Sequence, residues 1–523
     1  MAIINFIDGR LNRVTMYRVV LDVLIVLLTI AAIFGAVGIL PYSPIAIIFS
    51  TAVLILVSWI TNQLFAKAFN AQPNVESVYI TALILALIIT PVMPSTNPAG
   101  VMGIAFLIWA AIWGMACKYM LTMRKKHIFN PAAFAVALTA LVIGQSASWW
   151  VGGNLPMLAF VVIGGLLITR KIQRFDLVLS FLAVALVTIV VTNTASDPFS
   201  TIQKAILHAP IFFFAFIMIT EPLTTPPTRP LRIAYGALVG FLFAPAIHLG
   251  SIYSTPELAL IAGNIFSYLV SPKEKYVLKL VRTESIGADI GNFVFAPEKK
   301  MGRLPHFRPG QYMEWTLAHK KSDVRGNRRY FTLASSPTER EVHLGVKFYT
   351  PSSSFKKKLL AMAPGDTMVA GQLAGDFTLP RDKRTKLVFV AGGIGITPFR
   401  SMVKYLVDKG EQRDVVLLYS NRLISEIAYR TIFDEAAARI GMRTIYAITA
   451  PDEPLPNTPA TTGAHYRRGR IDAKLITQTV PDYRERTFYI SGTRGMVNAS
   501  HDTLKKLGVP ARHIKTDFFP GFA

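Results

Sequence analysis

The sequence predicts a polytopic α-helical membrane domain of about ten helices, arranged as an inverted repeat and fused to a β-barrel and an α/β domain. Three observations predict it. Of the 523 residues, 52% are hydrophobic and 16% are charged, where soluble domains carry about 25% charged residues. Long apolar runs fill residues 17–270 and none follows. The cations between those runs collect in every second loop, as they do on the cytoplasmic side of membrane proteins.

A membrane-spanning helix needs roughly 20 apolar residues. Runs near that length lie at 17–39, 44–66, 76–93, 99–121, 130–148, 155–169, 176–193, 205–220, 231–249 and 256–270. Arg10, Arg13 and Arg18 surround the start of the first run, which has no small-residue cleavage site, so it is expected to stay as an uncleaved helix. Lys67, "RKKH" at 124–127, "RKIQR" at 170–174, Arg229 with Arg232, and "PKEK" at 272–275 mark one side. The loops "LPYSP", "MPSTNPAG", "SASWWVGGN" and "HLGSIYSTP" hold no Lys or Arg, and the loop near 194–204 holds only Lys204. Positive loops face the cytoplasm. Both termini, and everything after residue 272, are therefore expected on the cytoplasmic side of a cell membrane, with Trp149 and Trp150 in the outer interfacial belt. The third run ends "LIITPVMP" and the eighth "IMITEPLTTPP". They stand in corresponding places of two halves and run in opposite directions, as Pro-broken helices that frame a ligand site do in inverted repeats.

Composition also excludes some functions. The formal net charge is +24, yet the cations form short clusters between apolar runs with no basic–aromatic stripe, so no nucleic-acid partner is expected. Cys117 is the single cysteine. An iron–sulfur cluster takes several thiolates, so this chain alone offers no ligand set for one. No internal disulfide and no metal site are expected.

After Pro272 the character changes. "KYVLKLVRTES" and "GQYMEWTL" alternate as strands do, and "KLVFVAGGIGITPFRSMVKYLV" reads as a strand, a glycine turn and a helix. The basic stretch "RDKRTK" at 381–386 divides a β region from an α/β region. The expected domains are 1–272, 276–380 and 387–523.

Four stretches carry chemistry. In "RRYFTLASSP" (328–337), Arg329 can clamp a pyrophosphate, Phe331 on the same strand face can cover a flat ring, and Thr332 offers a hydroxyl to a ring nitrogen. In "TPSSSFKKKL" (350–359), hydroxyl residues precede a helix, a good place for phosphate. In "VFVAGGIGITP" (388–398), Gly392, Gly393 and Gly395 let backbone approach a dinucleotide, and Thr397-Pro398 opens the next helix. "FYISGTRGMV" (488–497) then places Ser491-Gly492 at the end of another strand before another helix.

These motifs, with "FRPGQYM" at 307–313 and "LAGDFTLP" at 373–380, resemble the ferredoxin–NADP reductase superfamily, an FAD-binding β-barrel followed by a pyridine-nucleotide domain. The family's Arg-x-Tyr-Ser/Thr is Arg329-Tyr330-Phe331-Thr332 here, with Phe in place of Tyr, which keeps a stacking face and loses a hydroxyl. The resemblance implies that Arg329 binds the FAD pyrophosphate, that Thr332 approaches the flavin N5 as the catalytic position, and that Ser353 or Ser354 caps phosphate. It implies NAD(P)H at Gly393, Gly395 and Thr397, with Gly492 and Met496 near the nicotinamide. "TDFFPGFA" resembles the family's aromatic C-terminal segment, so Phe518 or Phe519 is expected to border the flavin. In "LLYSNR" (417–422), Ser420 and Arg422 can hold a 2′-phosphate, favouring NADPH, although Arg422 can equally be a solvated loop charge.

"HIFNPAAFAVAL" (127–138), "LLITRKIQRFDLVLSFLAV" (166–184), "FAFIMITEPLTTPPTRPLRIAYGALVG" (214–240) and "LIAGNIFSYLV" (260–270) resemble the membrane flavin subunits of the sodium-pumping NADH:quinone reductase and the Rnf complex. That family's Thr-Asp-Pro stands here as Thr220-Glu221-Pro222, followed by Thr224 and Thr225. The segment to which the family attaches FMN covalently shrinks to "GQSASWWVGGN", so the resemblance implies an FMN or riboflavin held without a covalent bond, with Thr220, Glu221 and Thr224 at its site.

The expected function is a membrane-bound oxidoreductase that passes electrons from NAD(P)H through FAD to a membrane-embedded flavin and onward across the bilayer. The acceptor is unidentified, either an extracytoplasmic flavoprotein or a small molecule. A haem-bearing ferric reductase or NADPH oxidase-like enzyme is one alternative, for which His208 and His248 at span ends are the available ligands. The other is an inverted-repeat transporter with a regulatory reductase domain, in which Asp22, Glu76 and Glu221 are the ionisable groups near the membrane.

Overall fold

The structure, a computed structural model, describes the chain except residues 1, 12–13, 70–74, 124–125, 196, 272–273, 299–305, 320–321, 324–325, 457–463 and 519–523. It divides into two compact units, Met1–Lys273 and Glu274–Ala523.

The first unit is helical. A short α1 (Ala2–Leu11) precedes α2 (Met16–Ala36), α3 (Pro44–Ala68), α4 (Val75–Ile88), α5 (Pro98–Met120) and α6 (Pro131–Ile143). The small hairpin β1 (Thr122–Met123) and β2 (Lys126–His127) joins α5 to α6. Then come α7 (Leu155–Ile172), α8 (Phe175–Thr192), α9 (Pro198–His208) and α10 (Ile211–Phe213), the last continuing as a π-helix over Phe214–Met218. The unit closes with α11 (Arg229–Phe243), a hairpin of β3 (His248–Leu249) and β4 (Ile252–Tyr253), and α12 (Pro256–Val270). Several starts are written locally as a capping residue followed by proline. Ser43, Asn97, Asn130 and Thr255 each accept a first-turn N–H with the side chain, and Pro44, Pro98, Pro131 and Pro256 take the position that needs no donor.

Helices lie under the expected apolar runs, but their lengths differ. Among the described residues, five are long and apolar enough to cross a membrane, six if the bent pair 198–208 and 211–218 counts as one. The run 76–93 yields a helix that stops at Ile88, ahead of Pro91 and Pro94. The run 130–148 stops at Ile143 because Gly144 turns left-handed with φ 68°. The run 231–249 stops at Phe243, since Ala244 is extended before Pro245. The run expected as one helix at 205–220 bends by 65°, where Pro210 cannot continue the hydrogen-bond ladder of α9.

Packing order repeats between the halves. α3 packs on α5 as α8 packs on α11, α5 on α6 as α11 on α12, and α2 on α4 as α7 on α10 and the π-helix. The α8–α11 contact is the most extensive. A Cβ at Gly236 or Gly240 of α11 would run into the Leu177 or Phe181 carbonyl oxygen of α8, so this small-xxx-small pair lets the two backbones meet.

The second unit has two lobes. The first is a curled antiparallel sheet of β5 (Tyr276–Gly287), β6 (Ile290–Pro297), β7 (Tyr312–Thr316), β8 (Arg328–Thr332), β9 (Val342–Lys347) and β10 (Thr367–Ala374), in the order β8-β7-β10-β5-β6-β9. The helix α13 (Ser354–Leu360) buries Phe355 and Leu359 in its core with Trp315 and Phe295. The second lobe is a parallel sheet in the order β14-β13-β12-β11-β15-β16. Its strands are β11 (Leu387–Gly392), β12 (Val415–Asn421), β13 (Arg443–Ile448), β14 (Ala464–Arg468), β15 (Thr487–Gly492) and β16 (Ile514–Phe518). The helices are α14 (Thr397–Lys409), α15 (Arg430–Ile440), α16 (Ala473–Thr479) and α17 (Arg494–Lys506). The chain lays β11, proceeds outward to β14, then returns to add β15 on the other side of β11. That reversal is a topological switch point, and open α/β sheets bind ligands in the crevice outside the carboxyl ends of the strands at such a point, here β11 and β15.

Candidate functional site

The crevice is lined by the glycine turn. Gly393 has φ +52°, and a Cβ at Gly395 would stand 2.5 Å from the Ser491 carbonyl oxygen and 2.6 Å from Gly492 Cα. The turn after β11 therefore presses against the end of β15 with no room for a side chain. Thr397 opens α14 and donates its hydroxyl to Ile394 O at 3.2 Å. The Met496 side chain folds back over both Gly392 and Gly492. Ser491 is fully buried, and its hydroxyl has no hydrogen-bond partner. Ser420 pairs in register with Gly392 at the rim, while Arg422 is exposed beyond it, its backbone N–H bonded to Glu426 Oε2 at 3.2 Å.

On the barrel side, β8 pairs with β7 so that Thr332 lies opposite Tyr312. Thr332 is buried and its hydroxyl has no partner; the same holds for Ser335 just beyond it. Arg329 and Phe331 share a strand face, since both reach Phe355: the guanidinium lies 5.2 Å from that ring and the Phe331 ring 5.9 Å from it. Arg329 donates to Gly326 O at 3.2 Å and Arg328 O at 2.6 Å. Tyr330, on the other face, donates to Glu314 at 2.9 Å.

Ser353 caps α13, accepting the Lys356 N–H at 3.3 Å. The Ser354 hydroxyl accepts the Asp323 N–H at 2.9 Å and meets His319 Nε2 at 3.1 Å, while the Ser354 N–H donates to Asp323 Oδ2 at 3.0 Å. Asp323 also lies 3.9 Å from Arg329. An internal carboxylate thus sits between the two groups expected to hold phosphate, and nothing in the sequence around Asp323 marks it for that place. Phe519 lies outside the described residues, as does the Phe518 side chain. β16 nonetheless carries the chain to Phe518, in register with Gly492.

The two lobes meet through buried charge. Arg400 of α14 binds Glu339 of the β8–β9 connection with both terminal nitrogens. His343, near that pair, is pushed below the usual histidine range by burial and then by the Arg400 guanidinium. Burial likewise raises the Tyr429 hydroxyl.

In the helical unit, Glu221 lies 3.5 Å from His127 Nε2 and accepts the Thr224 hydroxyl at 3.1 Å. Thr220 is turned into its own helix, donating to Phe216 O at 2.7 Å. Asn130 caps α6, donates its backbone N–H to Asn264 Oδ1 at 2.7 Å and its side-chain amide to Met218 O at 3.5 Å, and Asn264 donates to the Tyr235 hydroxyl at 3.2 Å. Three of the quoted stretches therefore converge on one buried polar cluster. Sequence reading assigned no role to His127, Asn130 or Asn264, although polar residues within apolar runs were the available signal. Of the histidines considered for haem, His248 sits in the β3–β4 hairpin against Tyr253, with Nδ1 3.0 Å from Gly250 O.

Comparison with known proteins finds a match in part of each unit. Residues 114–275 match the NQR2, RnfD, RnfE family, and residues 389–502 match the oxidoreductase NAD-binding domain. The chain joins an NQR2/RnfD-type membrane domain to a ferredoxin reductase-like oxidoreductase domain. Similar proteins include the flavohemoprotein of Bacillus subtilis (strain 168), 26% identical over 247 residues, which covers 47% of this chain and 60% of that protein. The flavohemoprotein of Pseudomonas putida is 29% identical over 244 residues, covering 46% and 58%. The chain spans about three-fifths of the length of these curated relatives. Among solved structures, the Amycolatopsis cytochrome P450 reductase GcoB has a TM-score of 0.41 at 22% identity, covering 48% of this chain and 72% of that one. The flavohem-like FAD/NAD-binding domain of nitric oxide dioxygenase from Vibrio cholerae has a TM-score of 0.40 at 19% identity, covering 47% and 98%.

Proposed function

We propose that the protein is a membrane-bound NAD(P)H-dependent flavin oxidoreductase that moves electrons from a cytoplasmic nucleotide to a membrane-embedded flavin and onward across the membrane to an acceptor still to be identified. The observation that carries this reading is the pair of buried, unpartnered hydroxyls on Thr332 and Ser335 in the lobe that packs on the glycine crevice. A buried hydroxyl without a partner costs about 1–3 kcal/mol, and a ring nitrogen or carbonyl of a bound flavin would satisfy it. FAD, when bound, supplies a centre that accepts a hydride and can release its electrons singly. The chain's part is to bind and orient. Arg329 holds the pyrophosphate, Phe331 covers the ring system, and Thr332 meets the reacting edge. Gly393, Gly395 and Thr397 seat the coenzyme's phosphates, with Gly492 and Met496 beside the nicotinamide. Ser420 and Arg422 favour NADPH. In the helical unit, the Glu221–Thr224 pair, with Thr220, Asn130 and Asn264, is the place for a non-covalent FMN or riboflavin. The cations gathered in every second loop support a cytoplasmic side for both termini and the reductase unit.

The test is the purified full chain, with flavins extracted by acid and identified, then reduced anaerobically by NADPH or NADH. Two releasable flavins per chain, both bleached by coenzyme, are expected. A haem band in place of flavin would overturn the reading. One FAD alone would favour the transporter alternative, which the repeated packing order of the two helical halves also suits.

A further inference from the structure

We propose that Arg400, clasped to Glu339, is a positioning residue that sets the distance between the flavin strand and the nicotinamide crevice; this rests on the reductase reading above. Arg400 lies one turn into α14 after Thr397 and is only 5% exposed. It leaves its own lobe to bind the other. Nη2 donates to Glu339 Oε1 at 2.9 Å, Nη1 to the second oxygen of that carboxylate and to Ala334 O at 3.0 Å. Glu339 in turn accepts the Ser336 N–H at 2.6 Å, and the next residue of the helix, Ser401, donates to Ser335 O at 2.6 Å. Farther along α14, Asp408 accepts the Thr338 hydroxyl. Segment 334–339, which continues directly from Thr332, is thus fastened to the helix that opens at the glycine turn.

A second arm holds the same seam. Tyr429 adopts a left-handed backbone (φ 59°), keeps its ring 5.6 Å from the Arg400 guanidinium, and donates its hydroxyl to Asn292 Oδ1 of β6 at 3.2 Å. Asn292 also donates to Glu284 at 2.7 Å and lies 3.1 Å from His343 Nδ1. Left-handed backbone at a bulky residue persists only where the surroundings over-determine it. A buried ion pair seldom adds net stability over an apolar pair, whereas a planar two-point fork fixes direction and separation. Geometry is therefore what this pair supplies, and a misplacement of about 1 Å between reacting groups slows a reaction by roughly 100-fold.

The experiment uses the FAD-loaded full chain and stopped-flow reduction by NADPH and NADH. Arg400→Gln is expected to keep FAD and to leave coenzyme affinity within about 2-fold, while the limiting rate of flavin reduction falls roughly 10- to 100-fold. Arg400→Lys, which keeps the charge without the fork, should fall between. Reduction of the Gln variant at the wild-type rate would overturn the proposal, as would equal losses of FAD content, affinity and rate. If Arg400→Gln does not fold, Glu339→Gln is read in its place, and a wild-type rate there overturns the proposal too. Failure of the wild-type protein to be reduced by either coenzyme sinks the reductase reading itself, which separates the two failures.

Discussion

Adding one methyl group at Gly395 tests the crevice most directly. The Cβ of Gly395→Ala would stand 2.5 Å from the Ser491 carbonyl oxygen and 2.6 Å from Gly492 N, about 1 Å inside the ~3.5 Å van der Waals optimum. Neither neighbour can retreat easily, because Ser491 and Gly492 end a buried strand held between β11 and β16. The turn itself must move, at the 1–3 kcal/mol typical of overpacking. For a unit of this size that is a fall in melting temperature of about 4–8 °C for ~2 kcal/mol. A turn displaced by most of an ångström should slow flavin reduction by NAD(P)H roughly 10- to 100-fold. Gly495→Ala is the control: its Cβ meets nothing within 4 Å, and alanine in a helix is worth about 0.5–1 kcal/mol over glycine. Thermal melting and anaerobic stopped-flow reduction read both effects. A Gly395→Ala protein with the wild-type melting point and rate would refute the close-approach argument.

Thr332→Val exchanges a hydroxyl for a methyl at nearly constant volume. Because that hydroxyl is buried without a partner, flavin-stripped protein should gain about 1 kcal/mol of stability, while FAD affinity falls about 10-fold; lower stability in the stripped Val variant would contradict the assignment. His343 titrates below its ordinary value, first through burial and then through Arg400, with Glu339, Glu284 and Glu341 pulling the other way. Its unfolded form takes up a proton near pH 6.5 and its folded form only at lower pH. Stability of the reductase unit should therefore be full above about 6.5 and decline as pH falls below it. Melting curves from pH 8 to 5 should show that decline flattened in His343→Gln, and an equal slope in both proteins would count against it.

Much of the coarse architecture was readable because its signals are local. Apolar runs of membrane length, capping residues before prolines, and a strand running into Gly-x-Gly each declare themselves within a few residues. Helix lengths were less readable: hydrophobicity continues past Ile88, Ile143 and Phe243, and it was prolines and one left-handed glycine that ended those helices.

The site divides in the same way. The sequence by itself determined where Arg329, Thr332, Gly393 and Gly395 fall, because strand alternation and the turn's backbone demands are properties of the segment. Only the tertiary structure decided that Arg400 meets Glu339, that Asn130 meets Asn264, that Asp323 stands between Ser354 and Arg329, and that the Thr332 and Ser335 hydroxyls are left without partners. Most of those contacts join residues far apart in the chain. The burial that makes an ion pair rigid or a lone hydroxyl costly exists only once separate segments have closed over it.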